Sequence, residues 1–108
     1  MVKYIDELIK AMTLLEKHSY IFIGQAMTSS GTSMTHTVNH ISIRQRQELP
    51  VFEDIQSGIA TGMALEGLKV CSVYPRMDFL ILAINQIVNH LDKAEEMSDG
   101  QFKPKVII

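Results

Sequence analysis

An α/β fold with a mostly parallel sheet is predicted by three features of the sequence. A helical stretch, a short link, an apolar strand and a glycine follow one another at the start of the chain. The strand, Tyr20-Ile21-Phe22-Ile23 closed by Gly24, is apolar without alternation. Such a run reads as a strand covered on both faces, as in parallel sheets. A second run of the same kind, Val70-Cys71-Ser72-Val73-Tyr74, stands between two further helical stretches.

The elements follow in order. Residues 4 to 17 carry Ile5, Leu8, Ile9, Met12 and Leu15 at helical spacing, with Lys3, Asp6, Glu7, Lys10 and Glu16 on the other side. Residues 26 to 35 are small and hydroxyl-rich and lack periodicity, so a loop is expected at the carboxyl end of the first strand, where open α/β sheets place ligands. Ile41 to Arg44 is expected as a short strand or edge segment. Pro50 announces a helix running from Phe52 and closed by Gly67. Within it Gly58 and Gly62 share one face. Both cost helix propensity, which implies that a backbone or ligand comes close there. From Met77 to about Glu96 a long helix is predicted, apolar almost all round in its first half and therefore expected to be buried. Val106-Ile107-Ile108 reads as a further strand.

The chain has 108 residues, enough for one domain and too few for two of full size. Its 10 Lys+Arg against 12 Asp+Glu give a net charge of -2, which leaves no basic footprint for nucleic acid or a membrane surface. Cys71 is the one cysteine, so an internal disulfide and a cysteine-based zinc site are excluded. There is no long uncharged apolar stretch to suit a membrane span. Asp6 and Glu7 in the opening turns do not suit a secretory signal, so a cytoplasmic chain is expected. No phosphate-loop or dinucleotide glycine pattern occurs, and Gly58-x-x-x-Gly62 has the wrong spacing for one.

Among residues that carry chemistry, Glu53 comes first. It follows Pro50, adjoins Asp54 and opens a helix between apolar neighbours. Two roles fit that position: an acid favoured in a first turn by the helix dipole, or a carboxyl in a cleft that shares a proton with a ligand nitrogen. His36 and His40 have helical metal-ligand spacing, but Thr37 and Val38 disfavour a helix and no third ligand is at hand; no metal site is expected. Cys71, inside a buried strand, reads as a small hydrophobe. Asn85, Gln86, Asn89 and Asp92 form a polar strip on the long helix, suited to solvent or to another chain.

The block from Gly24 onward resembles the pyrimidine-binding domain of thiamine-diphosphate enzymes. The likeness is to the β subunit of 2-oxo-acid dehydrogenase E1 components and to transketolase-like relatives. It rests on Ile23-Gly24-Gln25-Ala26-Met27 after the first strand and, loosely, on Ser30-Gly31 in the loop. It rests most of all on a gapless run from Pro50 to Asn89. That run holds Pro50-Val51-Phe52-Glu53, the small-residue helix Gly58-Ile59-Ala60-Thr61-Gly62-Met63-Ala64-Leu65-Glu66-Gly67, Tyr74, Asp78-Phe79 and Ala83-Ile84-Asn85-Gln86-Ile87-Val88-Asn89.

The resemblance implies a three-layer α/β/α fold with a mostly parallel sheet, residues 1–108 forming the N-terminal part of a pyrimidine-binding domain that continues further. It implies that Glu53 hydrogen-bonds N1′ of the thiamine diphosphate aminopyrimidine, favouring the imino form that takes the thiazolium C2 proton. Phe79 would stack on the aminopyrimidine face, and Tyr74 would line the same pocket. The family's Gly-Asp-Gly magnesium–diphosphate element is not in this sequence. Magnesium would then be bound by a diphosphate-binding α-type partner subunit, in an α2β2 assembly or across a homodimeric contact. Two departures mark a divergent relative: Gln25 stands where the family has Glu, and Val73 where many members carry an acid. Arg76, beside this pocket, suits a solvated helix start better than an anionic substrate group. The alternative reading is a non-catalytic interaction module of the same fold, favoured by Gln25 and Val73 and opposed by Glu53 and Phe79.

Overall fold

A computed structural model describes residues 1, 3–30 and 32–108 of the chain. Gly31, part of the loose Ser30-Gly31 match, lies outside the described residues. Helix α1 spans Tyr4–Lys17, and strand β1 spans Ile21–Gly24. Short helix α2 (Thr35–Val38) follows, then a 3₁₀ turn over Ile43–Gln45 and strand β2 (Arg46–Glu48). Helix α3 covers Glu53–Leu65, and β3 covers Val70–Val73. A helical run comes next: α4 (Met77–Leu80), a 3₁₀ turn over Ile81–Ala83, a π-helical stretch over Gln86–Leu91 and α5 (Ala94–Met97). Strand β4 is Val106–Ile107.

The four strands form one all-parallel sheet in the order β2-β1-β3-β4. This is the α/β class expected, with helices on both faces. Side chains alternate across a strand, so neighbouring residues of β1 serve opposite layers. Phe22 enters a core with Met27, Val38, Ile41, Cys71 and Val73, sealed by Met12 and Leu15 of α1 and by Met34. Ile23 enters a second core with Ala60 of α3 and Val70, flanked by Leu49 and Met63. Removal of a side chain such as Phe22 from water contributes roughly 1.5–3 kcal/mol. A strand with such residues on both faces stays in place only between two layers. Cys71 belongs to the first core, and burial pushes its thiol up to about 11, so it is a packing residue in this fold.

Four expectations about the fold need correction. Ile41 to Arg44 is no strand: Ile41 is a core residue whose amide donates to the Val38 carbonyl at 3.0 Å. The strand lies further on, in polar Arg46-Gln47-Glu48, because β2 is an edge strand paired with β1 alone. An edge with one open side needs no apolar run, so pattern did not reveal it. Residues 35 to 38, where Thr37 and Val38 are expected to disfavour a helix, form the helix Thr35–Val38, held by Thr35 and Thr37 hydroxyls that donate to the Ser29 and Met34 carbonyls.

The run from Met77 is helical as expected but neither regular nor buried. Ala83 alone is buried; Met77, Ile81 and Leu82 are 74%, 62% and 60% exposed. The π turn is visible in the Asp92 amide, which bonds the Ile87 carbonyl five residues back at 2.9 Å. The two helix glycines also divide. A Cβ on Gly58 would meet the Gln86 side chain at 3.9 Å, whereas one on Gly62 would meet nothing within 4 Å. The close approach expected at both exists at Gly58 only, and there as ordinary contact.

Candidate functional site

The chain adds β2 on one side of β1 and β3 on the other. Such a reversal opens a crevice at the carboxyl ends of β1 and β3, where doubly wound sheets bind ligands. Gly24 ends β1 and Val73 ends β3 in matching register. Gly24 holds φ +153, and a Cβ there would collide with the Val73 carbonyl. Only glycine allows the two strand ends to stand this close.

The loop after β1 is fastened from β2. The Glu48 carboxylate accepts the Ala26 and Thr28 amides, both at 2.7 Å, and the Thr28 hydroxyl at 3.1 Å. Ala26 has φ 57, the left-handed turn that aims successive amides at one anion. Burial raises the Glu48 pKa, but the bonds from Thr28, Ala26 and Ser29 outweigh it and leave it below the ordinary value. Arg46 adds a bond from its guanidinium to the Met27 carbonyl at 2.9 Å.

Helix α3 begins at the crevice. Glu53 is its first residue, placed there because Phe52 at the N-cap (φ -156, ψ 84) lies outside the helical region. The side chain is 8% exposed and lines a cleft of about 330 Å³ with Val51, Phe52, Asp54 and Leu82. Among the described residues no ion pair or side-chain hydrogen bond engages its carboxyl. One turn on, Gln56 is 2% exposed, and its Nε2 donates to Ser72 Oγ and to the Val73 carbonyl, both at 3.0 Å. The start of α3 is thereby tied to the end of β3.

The other expected site residues are distributed as follows. Phe79 is half-buried on α4, with the Arg76 guanidinium 4.4 Å from its ring centroid, a cation–π contact. Arg76 is exposed and also pairs with Asp78 at 3.0 Å. Tyr74 does not line the Glu53 cleft. It borders a separate cavity of about 680 Å³ between α1 and the ends of β3 and β4, with Leu8, Met12, Met34 and Ile107. Its hydroxyl is buried without a partner among the described residues. Gln25 is half-buried in the loop after β1, and Val73 is a core residue. His36 is exposed, while His40 Nε2 lies 2.9 Å from the Thr13 hydroxyl. Among the described residues no group of three or more His, Cys, Asp or Glu is placed to hold a metal ion, and no helix is long and apolar enough to cross a membrane.

Sequence reasoning passed over Glu48 and Gln56. For Gln56 a signal existed: it lies three residues after Glu53, on the same helix face, where a core residue would otherwise stand. Glu48 gave none, since its partners are backbone amides of a loop distant in sequence.

Fold and site together define a class: a parallel α/β domain that offers a buried, unengaged carboxyl at a helix start beside its strand ends. Relatives fall in the family that the sequence resembles. Over 61 residues the chain is 36% identical to pyruvate dehydrogenase E1 component subunit beta-3, chloroplastic, of Oryza sativa subsp. japonica. It is equally similar over the same length to the pyruvate dehydrogenase E1 component subunit beta of Chaetosphaeridium globosum and of Cyanidium caldarium. These matches cover 56% of this chain but 16% of the rice relative and 19% of the other two. No protein-family profile matches the chain.

Proposed function

We propose that residues 1–108 act as the pyrimidine-binding, β-type component of a thiamine-diphosphate-dependent 2-oxo-acid dehydrogenase E1 or transketolase-like enzyme. The observation that carries the reading is Glu53, a residue held 8% exposed at a cleft, whose carboxyl has no side-chain partner among the described residues. Its carboxyl oxygens are not among the fully buried unpaired atoms; they open into the cleft, where a ligand can meet them. An aminopyrimidine fits: its ring nitrogen can share a proton with Glu53, and its flat apolar faces suit the Phe52 and Leu82 walls.

Bound there, thiamine diphosphate supplies a nucleophilic thiazolium carbon and an electron sink for a carbonyl substrate. The residues of this chain bind and orient the ring and hold a proton between Glu53 and N1′. Phe79 is not among the residues lining the Glu53 cleft, and Arg76 lies against its ring, so a stacking role for it would require that ring to be freed. Tyr74 stands in the neighbouring cavity, so its role in the proposal is to support the end of β3.

The diphosphate and magnesium are assigned to an α-type partner chain. Support comes from the rim of the cleft, where Val51, Phe52 and Leu82 are exposed and apolar. Contiguous patches of this kind mark interaction surfaces. Once covered, they would exclude water from Glu53. An α2β2 arrangement places one such cleft in each β chain.

The test combines the chain with its partner and compares wild type with Glu53→Gln. Turnover is expected to fall by about 100-fold or more, the range of a lost acid–base partner. Unchanged turnover would overturn the role. Burial of Val73 in the apolar core favours a second reading, a non-catalytic module of the same fold. Calorimetric titration with thiamine diphosphate and magnesium separates the two: binding heat with the partner present supports the enzyme, and none with or without it supports the module.

A further inference from the structure

Among the described residues Gln56 is the one side chain that bolts the start of α3 to the sheet at the crevice. It is 2% exposed, and both of its bonds, to Ser72 Oγ and the Val73 carbonyl at 3.0 Å, reach the end of β3. Its own amide donates to the Phe52 carbonyl at 2.9 Å, the first backbone bond of the helix. The bolt is close-fitted on its far side too, since a Cβ on Gly24 would stand 3.3 Å from Gln56 Nε2. Three elements thus converge on one amide group: the last residue of β1, the last residues of β3 and the first turn of α3.

Glu53 lies one turn before Gln56 on the same face. With no side-chain bond of its own among the described residues, its carboxyl stands where the first turn of α3 puts it. Proton sharing needs heavy atoms about 2.6–3.2 Å apart. A displacement of about 1 Å can cost on the order of 100-fold in rate. A helix start held only by backbone would fray, because its first amides have no internal acceptors.

We propose that Gln56 is a positioning residue: its paired hydrogen bonds to Ser72 and Val73 lock the first turn of α3 so that Glu53 meets the cofactor's ring nitrogen at bonding distance. This rests on the function proposed above. A dedicated buried amide explains what an ordinary apolar residue at this position would not. An apolar side chain could fill the space, but only a group with two aimed donors fixes the helix along its axis as well as across the sheet. Both donors of Gln56 Nε2 are used, and paired buried polar groups of this kind help to specify one arrangement.

The test uses the enzyme assembled with its partner chain, and it has two readouts. Without cofactor, Gln56→Met is expected to raise amide hydrogen exchange about tenfold over residues 56 to 60, and to leave residues 61 to 65 unchanged. With thiamine diphosphate and magnesium bound, the same variant is expected to slow deuterium exchange at the thiazolium C2 position about tenfold, while affinity for the cofactor stays within about threefold. Glu53→Gln is measured beside it. Slow C2 exchange in Glu53→Gln with the wild-type rate in Gln56→Met overturns the positioning role and leaves the function standing. The wild-type rate in Glu53→Gln removes the functional reading, and this inference with it. Should Gln56→Met fail to fold, Ser72→Ala removes one of the two acceptors and is expected to slow C2 exchange about threefold; the wild-type rate there overturns the proposal.

Discussion

The end of β2 and the start of α3 each present a glutamate at the carboxyl end of the sheet, and the two are used in opposite ways. Glu48 is saturated: two amides at 2.7 Å and a hydroxyl surround it, and the loop after β1 is wrapped on its carboxylate. Glu53 is more deeply placed yet has no internal partner among the described residues. Near neighbours in sequence, they differ because β2 aims Glu48 back over the strand ends, whereas the non-helical Phe52 starts a helix whose first side chain faces a cleft. Residue type does not assign the role. The count of satisfied lone pairs does.

The largest difference between the two should appear in activity. In the assembled enzyme Glu53→Gln is expected to reduce turnover about 100-fold, while unfolding free energy in urea changes by less than about 1 kcal/mol, the scale of a helix-dipole contact. Glu48→Gln should do the reverse. It keeps one acceptor oxygen but loses charge-assisted bonds to the loop. Unfolding free energy is expected to fall by about 1–2 kcal/mol, and turnover by less than about threefold once the protein is folded. Equal losses of activity in both variants would dissolve the contrast.

The same contrast explains what could be read from sequence. The two buried strands, the helix from 53 and its closure near Gly67 were legible because apolar runs and periodic faces leave a direct mark on residue order. Gly67 does hold a left-handed φ of 84. Strand β2 and helix α2 were not, since edge pairing and threonine-to-carbonyl bonds depend on partners that only the fold brings near. Glu53 was legible as a candidate because its type, Pro50 and the following small-residue helix occur together. Its separation from Tyr74 was not: the strand ends at Val73, and nothing in residue order tells which side of the sheet the next side chain takes. The run from Met77 was legible as apolar and was therefore expected to be buried, yet Met77, Ile81 and Leu82 stand exposed, because an apolar pattern marks a face but not what covers it.

Acid should separate the two glutamates again, with an intermediate effect. The folded-state pKa of Glu48 lies below its ordinary value of 4.5. A depressed carboxylate contributes stability above its unfolded pKa and loses it as pH falls through the folded value. The stability gap between wild type and Glu48→Gln is therefore expected to be full at neutral pH and constant down to about pH 5. It should close as pH falls below 4.5, tracked by urea unfolding at each pH. A gap that persists undiminished at the acid end would mean that Glu48 holds the loop by shape rather than by charge.

The smallest expected effect tests how the Glu48 cluster divides its work. The Thr28 hydroxyl reaches the carboxylate at 3.1 Å from an exposed position, while the Thr28 amide reaches it at 2.7 Å. Thr28→Val deletes the hydroxyl bond and leaves shape and amide in place. Water can replace an exposed hydroxyl, so the loss should be about 0.5 kcal/mol, well under that of Glu48→Gln. A double-mutant cycle between the two positions is expected to return a coupling of the same size. Coupling near zero would assign the whole cluster to the backbone amides. The loop after β1 would then owe its shape to the left-handed turn at Ala26 and one anion, and Thr28 could be exchanged freely without disturbing the crevice beside Glu53.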